Sequence, residues 1–243
     1  MRVQQISLHL LELPLHQPYK LAFGPVRSFD TLIVEVTGDG DESGFGEATI
    51  LTGYTSETIE GSWRQARQLA ASMVGATADV AKSRAQDRHR QAPFTVTALV
   101  TAVESAENHP LIEVDSPAAV PLLAVVNAAN GGDIEAEVEE HLAAGFTTLK
   151  VKVGFDVDAD LERVGRIQRL GRGRASIRID ANQGYSSDDG VRFAAELEPR
   201  DIEVVEQLCH RDDWDAAVAV ARAAAVPVML DESIYGIGEI EQA

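Results

Sequence analysis

Three acidic residues close three successive apolar segments in the second half of the chain. Asp180 ends Ser-Ile-Arg-Ile-Asp, Glu206 ends Glu-Val-Val-Glu, and Asp231 ends Val-Met-Leu-Asp. The intervals between them are 26 and 25 residues (206 − 180 and 231 − 206). One β-strand, one α-helix and two loops occupy about that length. The spacing therefore predicts repeated βα units in which successive strands lie side by side.

This arrangement puts three carboxylates at neighbouring strand ends. Like charges at such short range repel one another unless a cation lies between them. The sequence therefore predicts a metal site built into a parallel sheet or barrel. Other acids, such as those at 135–140, are interpreted as parts of solvated helix faces.

The bulk composition limits the class of protein. The chain has 243 residues, enough for one large domain or two smaller ones, and 45% of them are hydrophobic, as in an ordinary globular protein. With 21 basic and 39 acidic residues, the net charge is −18. Nucleic acid is not expected as a partner, because no basic surface is available to neutralise phosphates.

Cysteine usage and apolar runs indicate the compartment. The single cysteine, Cys209, excludes an intrachain disulfide and is expected to be a small, partly buried residue. The sequence has no signal-peptide pattern and no apolar run of membrane-spanning length. We therefore expect a cytoplasmic protein without a membrane partner.

The first part of the chain is predicted to be an α+β domain. Short alternating segments predict an antiparallel meander, and three longer apolar-periodic stretches predict helices. The predicted strands are 3–13, 29–37 and 45–49, and the predicted helices are 56–74, 78–90 and 96–108. His109-Pro110 and Ser116-Pro117 then interrupt the pattern. We place a domain boundary there and expect domains at 1–117 and 118–243.

From Pro121 onward, strands and helices alternate strictly. The predicted strands are 121–126, 147–153, 176–180, 202–206 and 226–231, and the predicted helices are 133–144, 157–170, 187–197 and 213–224. Strands joined by right-handed helical crossovers form a parallel sheet. The predicted fold class is therefore α/β, with an N-terminal α+β domain ahead of the parallel sheet.

Two lysines lie in the second of these strands, in Lys-Val-Lys at 150–152. Because side chains alternate between the faces of a strand, Lys150 and Lys152 share one face, and Leu149, Val151 and Val153 face the helices. Two ammonium groups on one sheet face need a polar or anionic environment, which the three carboxylates would supply. From these residues alone, an exposed edge strand with two unrelated lysines stays open as the alternative.

Several short motifs occur in a distinctive order. They are Gly-Phe-Gly-Glu-Ala-Thr at 44–49, Tyr-Thr-Ser-Glu-Thr at 54–58, Leu-Lys-Val-Lys-Val at 149–153, Ile-Asp-Ala-Asn-Gln at 179–183, Val-Glu-Gln at 205–207 and Asp-Glu-Ser at 231–233. In order and spacing they resemble the enolase superfamily, most closely its muconate lactonizing enzyme (muconate cycloisomerase) and mandelate racemase-like family. The resemblance implies a capping domain at 1–117. It also implies a partial (β/α) barrel at 118–243, with strands one to five of an enolase-type modified TIM barrel.

The resemblance implies a Mg²⁺ site formed by Asp180, Glu206 and Asp231. Oxygen-only ligation favours Mg²⁺ or Mn²⁺ over Zn²⁺. Strand alternation lets only one of Asp231 and Glu232 face inward. Asp231 is chosen because this subgroup uses an aspartate as the third ligand, whereas mandelate racemases use a glutamate. Asn182 is implied to support the site from outside the ligand set.

The resemblance further implies that Lys152 is the acid/base on one face of the substrate, with Lys150 beside it. A base must be a neutral amine, which a neighbouring ammonium and a nearby metal ion both favour. A cation bound to a substrate carboxylate would stabilise the enolate that forms when the adjacent proton is removed.

The resemblance also implies a segment that closes over the substrate. The candidates for substrate selection are Tyr54 and, in the segment 17–28, Tyr19, Phe23 and Arg27. A plain surface loop at 17–28 is the alternative. Outside this segment, we expect His210 in a loop and His141 on a solvated helix face.

The sequence departs from the family pattern in two places. Leu208 and Cys209 stand where a proline usually follows Val-Glu-Gln. The family's sixth strand normally carries a second lysine, and no residue up to Ala243 can be assigned that role. We therefore interpret the chain as C-terminally truncated, either as a fragment or as a natural truncation, and expect a homo-oligomer if the protein is full length.

The implied function is Mg²⁺-dependent removal of a proton α to the carboxylate of a small molecule. Muconate-type cycloisomerisation and racemisation of N-acylamino acids or dipeptides share this step. Two alternatives stay open from the sequence. One is dehydration of acid sugars or hydroxy acids within the same superfamily, and the other is a non-catalytic metal-binding remnant.

Overall fold

The computed structural model describes residues 1–21, 24–40, 42–112, 114, 116–128 and 131–243. The structure divides into two compact units, Met1–Pro117 and Ala118–Ala243. Each unit has a buried apolar core of its own.

In its described residues, the first unit is an antiparallel sheet covered by helices. The strands are β1 (Val3–Leu21), β2 (Gly24–Gly38) and β3 (Ser43–Thr49), paired in the order β1-β2-β3. The helices are α1 (Ile59–Met73), α2 (Ala78–Gln86) and α3 (Pro93–Ala106). Period-two alternation buries Leu32, Val34 and Val36 of β2. The predicted antiparallel meander is confirmed.

The first helix begins later than the sequence predicts. Ser56 was the expected start, whereas α1 begins at Ile59 with Thr58 as its cap, because the Thr58 hydroxyl accepts a hydrogen bond from the Gly61 N–H. This leaves Glu57 outside the helix, where its side chain reaches α3.

Glu57 is buried and holds the start of α3. Its carboxylate accepts hydrogen bonds from the backbone N–H groups of Phe94 (2.7 Å) and Thr95 (3.2 Å). It also accepts from the hydroxyls of Thr95 (2.7 Å) and Ser62 (3.0 Å). An acid at a helix N-terminus satisfies N–H groups that have no partner within the helix.

Strand β3 lies directly on α3. A Cβ atom at Gly46 would lie 1.9 Å from the carbonyl oxygen of Ala98, and one at Gly44 would lie 2.1 Å from the backbone nitrogen of Ala106. The two glycines of the Gly-Phe-Gly motif therefore allow this close approach, while Phe45 between them is exposed.

In its described residues, the second unit is a parallel sheet whose strands follow chain order. They are β4 (Ala124–Val126), β5 (Thr148–Lys152), β6 (Ser176–Asp180), β7 (Ile202–Glu206) and β8 (Val228–Met229). The helices are α4 (Gly131–Ala143), α5 (Val157–Gly171), α6 (Ser187–Glu196), α7 (Trp214–Ala223) and α8 (Ile237–Gln242). Strand–helix alternation with this order is that of a partial (β/α) barrel, as the sequence predicts.

One face of the sheet is packed and the other is polar. The fully buried residues of the packed face include Leu149, Val151, Ile177, Ile179 and Val205. The predicted orientation of β5, with its two lysines opposite this apolar face, is confirmed.

The last strand is shorter than predicted. The sequence predicts a strand at 226–231, but β8 has only two residues, Val228 and Met229. Asp231 therefore follows the strand in a turn, where the alternation of a strand no longer sets which side chain faces inward.

Across the part of the chain that the structure describes, no helix is long and apolar enough to cross a membrane.

Substitution Gly46→Ala should destabilise the protein by at least about 2 kcal/mol, because the added methyl group has no space against α3. Gly132→Ala in α4 is the control, since a Cβ there would meet nothing within 4 Å. Alanine is the better helix former, so this variant should be as stable as the parent or slightly more so. Urea unfolding measures both, and equal stability of Gly46→Ala and the parent would contradict the close packing of β3 on α3.

Candidate active site

The carboxyl ends of β5, β6 and β7 bring the predicted polar residues together. Strand register pairs Lys152 with Asp180, and Asp180 with Glu206. Parallel strands in register place their last residues at the same edge of the sheet. The side chain of Asp180 is 1% exposed and that of Glu206 is 8% exposed, so the two carboxylates are buried next to the lysines.

Lys150 bridges two of the predicted metal ligands. Its Nζ lies 2.7 Å from Oδ2 of Asp180 and 2.9 Å from Oε2 of Glu206. One ammonium group therefore occupies a position between two carboxylates on adjacent strands, as a cation at this edge must.

Lys152 makes two short contacts at the same edge. Its Nζ donates to Oδ2 of Asp180 at 2.5 Å and to Oδ1 of Asn182 at 2.6 Å. The side chain is 18% exposed. An ammonium group has three N–H donors, so these contacts leave one position on Nζ for another partner.

The pKa values of the two carboxylates shift in opposite directions. Burial acts to raise the pKa of Asp180, but hydrogen bonds from Lys150 and Lys152 outweigh it and hold this pKa below its ordinary value. Burial raises the pKa of Glu206, and the charges of Asp180 and Asp231 add to that rise against the single hydrogen bond from Lys150. Asp180 is thus the more firmly ionised of the two.

Lys150 itself is held in its charged form. Burial acts to lower its pKa, but hydrogen bonds to Asp180 and Glu206 outweigh it and raise the pKa above the ordinary lysine value. The side chain therefore acts as a fixed positive charge between the two acids.

Asn182 links Lys152 to Glu232, which is not among the site residues predicted from the sequence. The Asn182 amide nitrogen Nδ2 donates to Oε1 of Glu232 at 3.1 Å. The backbone N–H of Asn182 donates to Oδ1 of Asp180 at 2.9 Å, and its φ of +42° is in the left-handed region. Asparagine tolerates that conformation better than most residues.

Glu232 is buried, at 3% exposure, whereas Asp231 is exposed. Among the described residues, Oε2 of Glu232 is the buried side-chain oxygen or nitrogen without a hydrogen-bond partner. Burial raises the pKa of Glu232, and the charges of Asp231 and Asp180 contribute to the rise. The sequence does offer Glu232 as a candidate for the site, since it directly follows Asp231. Strand alternation excludes it, because only one of two neighbouring side chains in a strand can face inward.

Gln207 ties the turn after β8 to the end of β7. Its Oε1 accepts hydrogen bonds from the backbone N–H groups of Asp231 (2.9 Å) and Ser233 (3.1 Å), and its Nε2 donates to the Ser233 hydroxyl (2.8 Å). A buried side-chain amide therefore positions Asp231 and Glu232 beside Glu206. No local sequence pattern signals this role of Gln207.

Helix α5 supports the end of β5 through hydrogen bonds from its side chains to backbone carbonyl groups. The guanidinium of Arg163 donates to the carbonyl oxygens of Lys152 (2.7 Å), Val126 (2.8 Å) and Ala128 (3.1 Å). Arg163 thus joins the ends of β4 and β5.

One turn earlier in α5, Asp160 fixes the segment that follows Lys152. Its Oδ2 accepts hydrogen bonds from the N–H groups of Gly154, Phe155 and Asp156 and from the Tyr185 hydroxyl at 2.7 Å. The site is therefore fixed through the backbone as well as through its ion pairs.

Comparison with known proteins follows the same division of the chain. The family model described as the mandelate racemase / muconate lactonizing enzyme N-terminal domain matches residues 5–108, and the model described as enolase C-terminal domain-like matches residues 133–243. The L-Lys-D/L-Arg epimerase of Methylococcus capsulatus is 31% identical over 255 residues, which cover 97% of this chain and 69% of that protein. The chain belongs to the mandelate racemase/muconate lactonizing enzyme family of the enolase superfamily.

Two solved structures show the fold of this family member. A dipeptide epimerase from Cytophaga hutchinsonii, in complex with Mg and the dipeptide D-Ala-L-Val, has a TM-score of 0.89 at 21% identity and covers 100% of this chain and 68% of its own. The muconate lactonizing enzyme of Pseudomonas putida has a TM-score of 0.86 at 22% identity. The match covers 98% of this chain and 68% of the chain of that enzyme. With an epimerase as a relative at 31% identity over 97% of this chain, this superfamily member is an isomerase.

The four candidates for substrate selection belong, by their position in the sequence, to the first unit. Arg27 is exposed on β2, Tyr54 is half-buried in the first unit, and Tyr19 is on β1 paired with Val26. Phe23 and the side chain of Tyr19 lie outside the described residues. The role of these four residues in substrate selection stays a prediction.

The two histidines give different outcomes. His210 is exposed in a loop, as expected. The expectation of a solvated His141 is wrong, because its side chain is half-buried, with Nε2 3.2 Å from the carbonyl oxygen of Val125 and its ring edge against Phe146. The packing of α4 against β4 accounts for this burial.

Cys209 is buried, and burial raises the pKa of its thiol to about 11.

The donor set suits a hard divalent cation. Four carboxylates, those of Asp180, Glu206, Asp231 and Glu232, influence one another electrostatically at this edge. Against the two ammonium groups, they leave an excess of two negative charges (4 − 2) when all are ionised, and oxygen ligands are those that Mg²⁺ prefers. In the described residues, no three such side chains already stand in metal-binding geometry, and Lys150 is the group that now neutralises two of them.

Substitution Lys150→Met should lower the free energy of unfolding, measured in EDTA, by about 3 kcal/mol. Removing the ammonium leaves two buried carboxylates facing each other without their shared partner. Arg178→Met is the control on β6, because its ion pair with Glu203 is exposed on both sides and should contribute less than about 1 kcal/mol. A Lys150→Met protein as stable as the parent would show that Lys150 does not hold the acids together.

Proposed function

We propose that this protein racemises or epimerises a small N-acylated amino acid, with a dipeptide as the default substrate. The observation that carries the proposal is the position of Lys152 at the end of β5. Its Nζ is held by Asp180 and Asn182, and one position on Nζ stays available for a substrate proton.

The fixed contacts of Lys152 give the proton transfer a direction. Two acceptors, both bound at 2.6 Å or less, orient the amine. When Lys152 is neutral, its lone pair occupies the position that neither acceptor takes, and it can remove the α-proton of a substrate placed there. The C–H bond breaks, an N–H bond forms, and the electron pair stays on the substrate.

Return of a proton to the opposite face inverts the configuration of the α-carbon. Lys152 is the acid/base that we assign to one face. We assign no second acid/base among the described residues.

A divalent cation fits the acids beside Lys152. Asp180, Glu206 and Asp231 are the proposed ligands for Mg²⁺ or Mn²⁺. When bound, such a cation would supply positive charge next to a substrate carboxylate, which makes the adjacent C–H bond more acidic. Hydrogen bonds from Lys150 and Lys152 outweigh the effect of burial, lower the pKa of Asp180 and keep this carboxylate ionised, as a metal ligand must be.

The relatives support epimerisation over cycloisomerisation. The M. capsulatus relative, at 31% identity, is an L-Lys-D/L-Arg epimerase. The similarity to a muconate lactonizing enzyme is structural, at 22% sequence identity, and supports the shared fold alone. Muconate-type cycloisomerisation, the other reaction that the sequence suggests, is therefore the less favoured function.

The proposal predicts exchange of the substrate α-proton with solvent. In D₂O with Mg²⁺, the protein should exchange the α-proton of members of a panel of L,L-dipeptides with basic, acidic or apolar second residues. Lys152→Ala should lower the exchange rate by about 100-fold or more, because it removes the base. ¹H NMR and mass spectrometry follow the exchange.

Lys82→Ala is the control for Lys152→Ala. Lys82 is also a partly buried lysine in an ion pair, with Glu107 at 2.8 Å, but it lies on α2 in the first unit. This variant should keep the exchange rate of the parent. Exchange that survives in Lys152→Ala would remove Lys152 as the base.

A further inference from the structure

Lys152 is connected to Glu232 through Asn182. Lys152 Nζ donates to Oδ1 of Asn182 at 2.6 Å, and Nδ2 of the same amide donates to Oε1 of Glu232 at 3.1 Å. The three side chains come from β5, from the turn after β6 and from the turn after β8. The contact thus spans non-adjacent strands of the sheet.

The chemistry of the two ends fixes the orientation of the amide. An ammonium group can only donate and an ionised carboxylate can only accept, whereas an amide side chain does both. If the Asn182 amide were rotated by 180°, its nitrogen would face Lys152 and its oxygen would face Glu232, and both contacts would be lost. Glu232 therefore selects the rotamer in which the amide oxygen faces Lys152.

A second observation indicates that Glu232 has a role beyond filling space. It is 3% exposed, and its Oε2 is the buried side-chain oxygen or nitrogen that lacks a partner in the described structure. Burying a carboxylate that is only half satisfied costs free energy. An apolar side chain of similar length would avoid that cost but could not accept from Asn182.

We propose that Glu232 is a positioning residue for Lys152: it holds the Asn182 amide in the orientation that keeps the Lys152 amine aimed at the substrate. The proposal rests on the proposed function, since it assumes that Lys152 is the acid/base. It assigns Glu232 no contact with the substrate.

Three substitutions at Glu232 separate this role from a structural one. Glu232→Leu removes the acceptor, so the kcat of α-proton exchange should fall by about 10- to 100-fold while KM stays within about twofold. Glu232→Asp keeps the charge but is one methylene shorter, so its kcat should fall nearly as far as that of Glu232→Leu. Glu232→Gln keeps the length and an acceptor oxygen, and should stay within about threefold of the parent.

Glu203→Leu is the matched control on β7. This glutamate is bound to Arg178 and Ser176 and has no hydrogen bond to Lys152 or Asn182, so its loss should leave kcat unchanged. The double variant Asn182→Leu/Glu232→Leu should be no slower than Asn182→Leu alone within about twofold, because both changes break the same link. Additive losses would overturn the link through Asn182.

A readout that needs no activity tests the same contact. The side-chain NH₂ of Asn182 should exchange with solvent slowly in the parent and in Glu232→Gln, and at least about tenfold faster in Glu232→Leu. ¹⁵N–¹H NMR measures these rates in the folded variants. If Glu232→Leu does not fold, Glu232→Asp provides the same comparison.

The outcomes distinguish the two proposals. If the parent exchanges the α-proton and Glu232→Leu matches it in kcat, the positioning role of Glu232 is wrong and the proposed function stands. If the parent exchanges no dipeptide α-proton, the proposed function is wrong, and protection of the Asn182 amide still decides whether Glu232 orients it. Equal amide exchange in parent and Glu232→Leu would overturn the positioning role in either case.

Discussion

The ion pairs of Asp180 with Lys150 and Lys152 are the interaction on which the second unit's site depends. They join the carboxyl ends of β5 and β6, and the bridge from Lys150 to Glu206 extends the contact to β7. Buried charges are tolerated in proteins when they are paired and hydrogen-bonded. The pairing explains why two lysines and two acids can share one edge of a sheet whose other face is fully apolar.

The arrangement also separates the tasks of the two lysines. Lys150 lies between two carboxylates and its charge is stabilised there. Lys152 contacts one carboxylate and one amide, which orients the amine while leaving part of it accessible. The same sequence motif thus supplies a counter-ion at its first lysine and the candidate acid/base at its second.

Much of this site could be predicted from the sequence, because it depends on regular periods. The period of two in β5 puts Lys150 and Lys152 on one face, and the intervals between Asp180, Glu206 and Asp231 follow from repeated βα units. Strands β6 and β7 end at the predicted residues. Such features can be predicted from local periodicity without knowledge of the tertiary contacts.

The parts that could not be predicted depend on tertiary contacts or on irregular backbone. Glu232 enters the site because β8 ends at Met229, so strand alternation no longer applies at 231–232. Gln207 reaches the turn after β8 from a left-handed conformation with φ +39°. The burial of His141 comes from the packing of α4 on β4. No local pattern of residues signals these contacts.

We propose that the acids now bridged by Lys150 belong to a site for one divalent cation. Isothermal titration calorimetry of Mg²⁺ into the parent, Asp180→Asn and Asp188→Asn tests it most directly. The account predicts one Mg²⁺ per chain, with affinity at least about 100-fold weaker in Asp180→Asn and unchanged in Asp188→Asn, whose acid is exposed in the first turn of α6. Absence of Mg²⁺ binding in the parent, or equal affinity in Asp180→Asn, would contradict it.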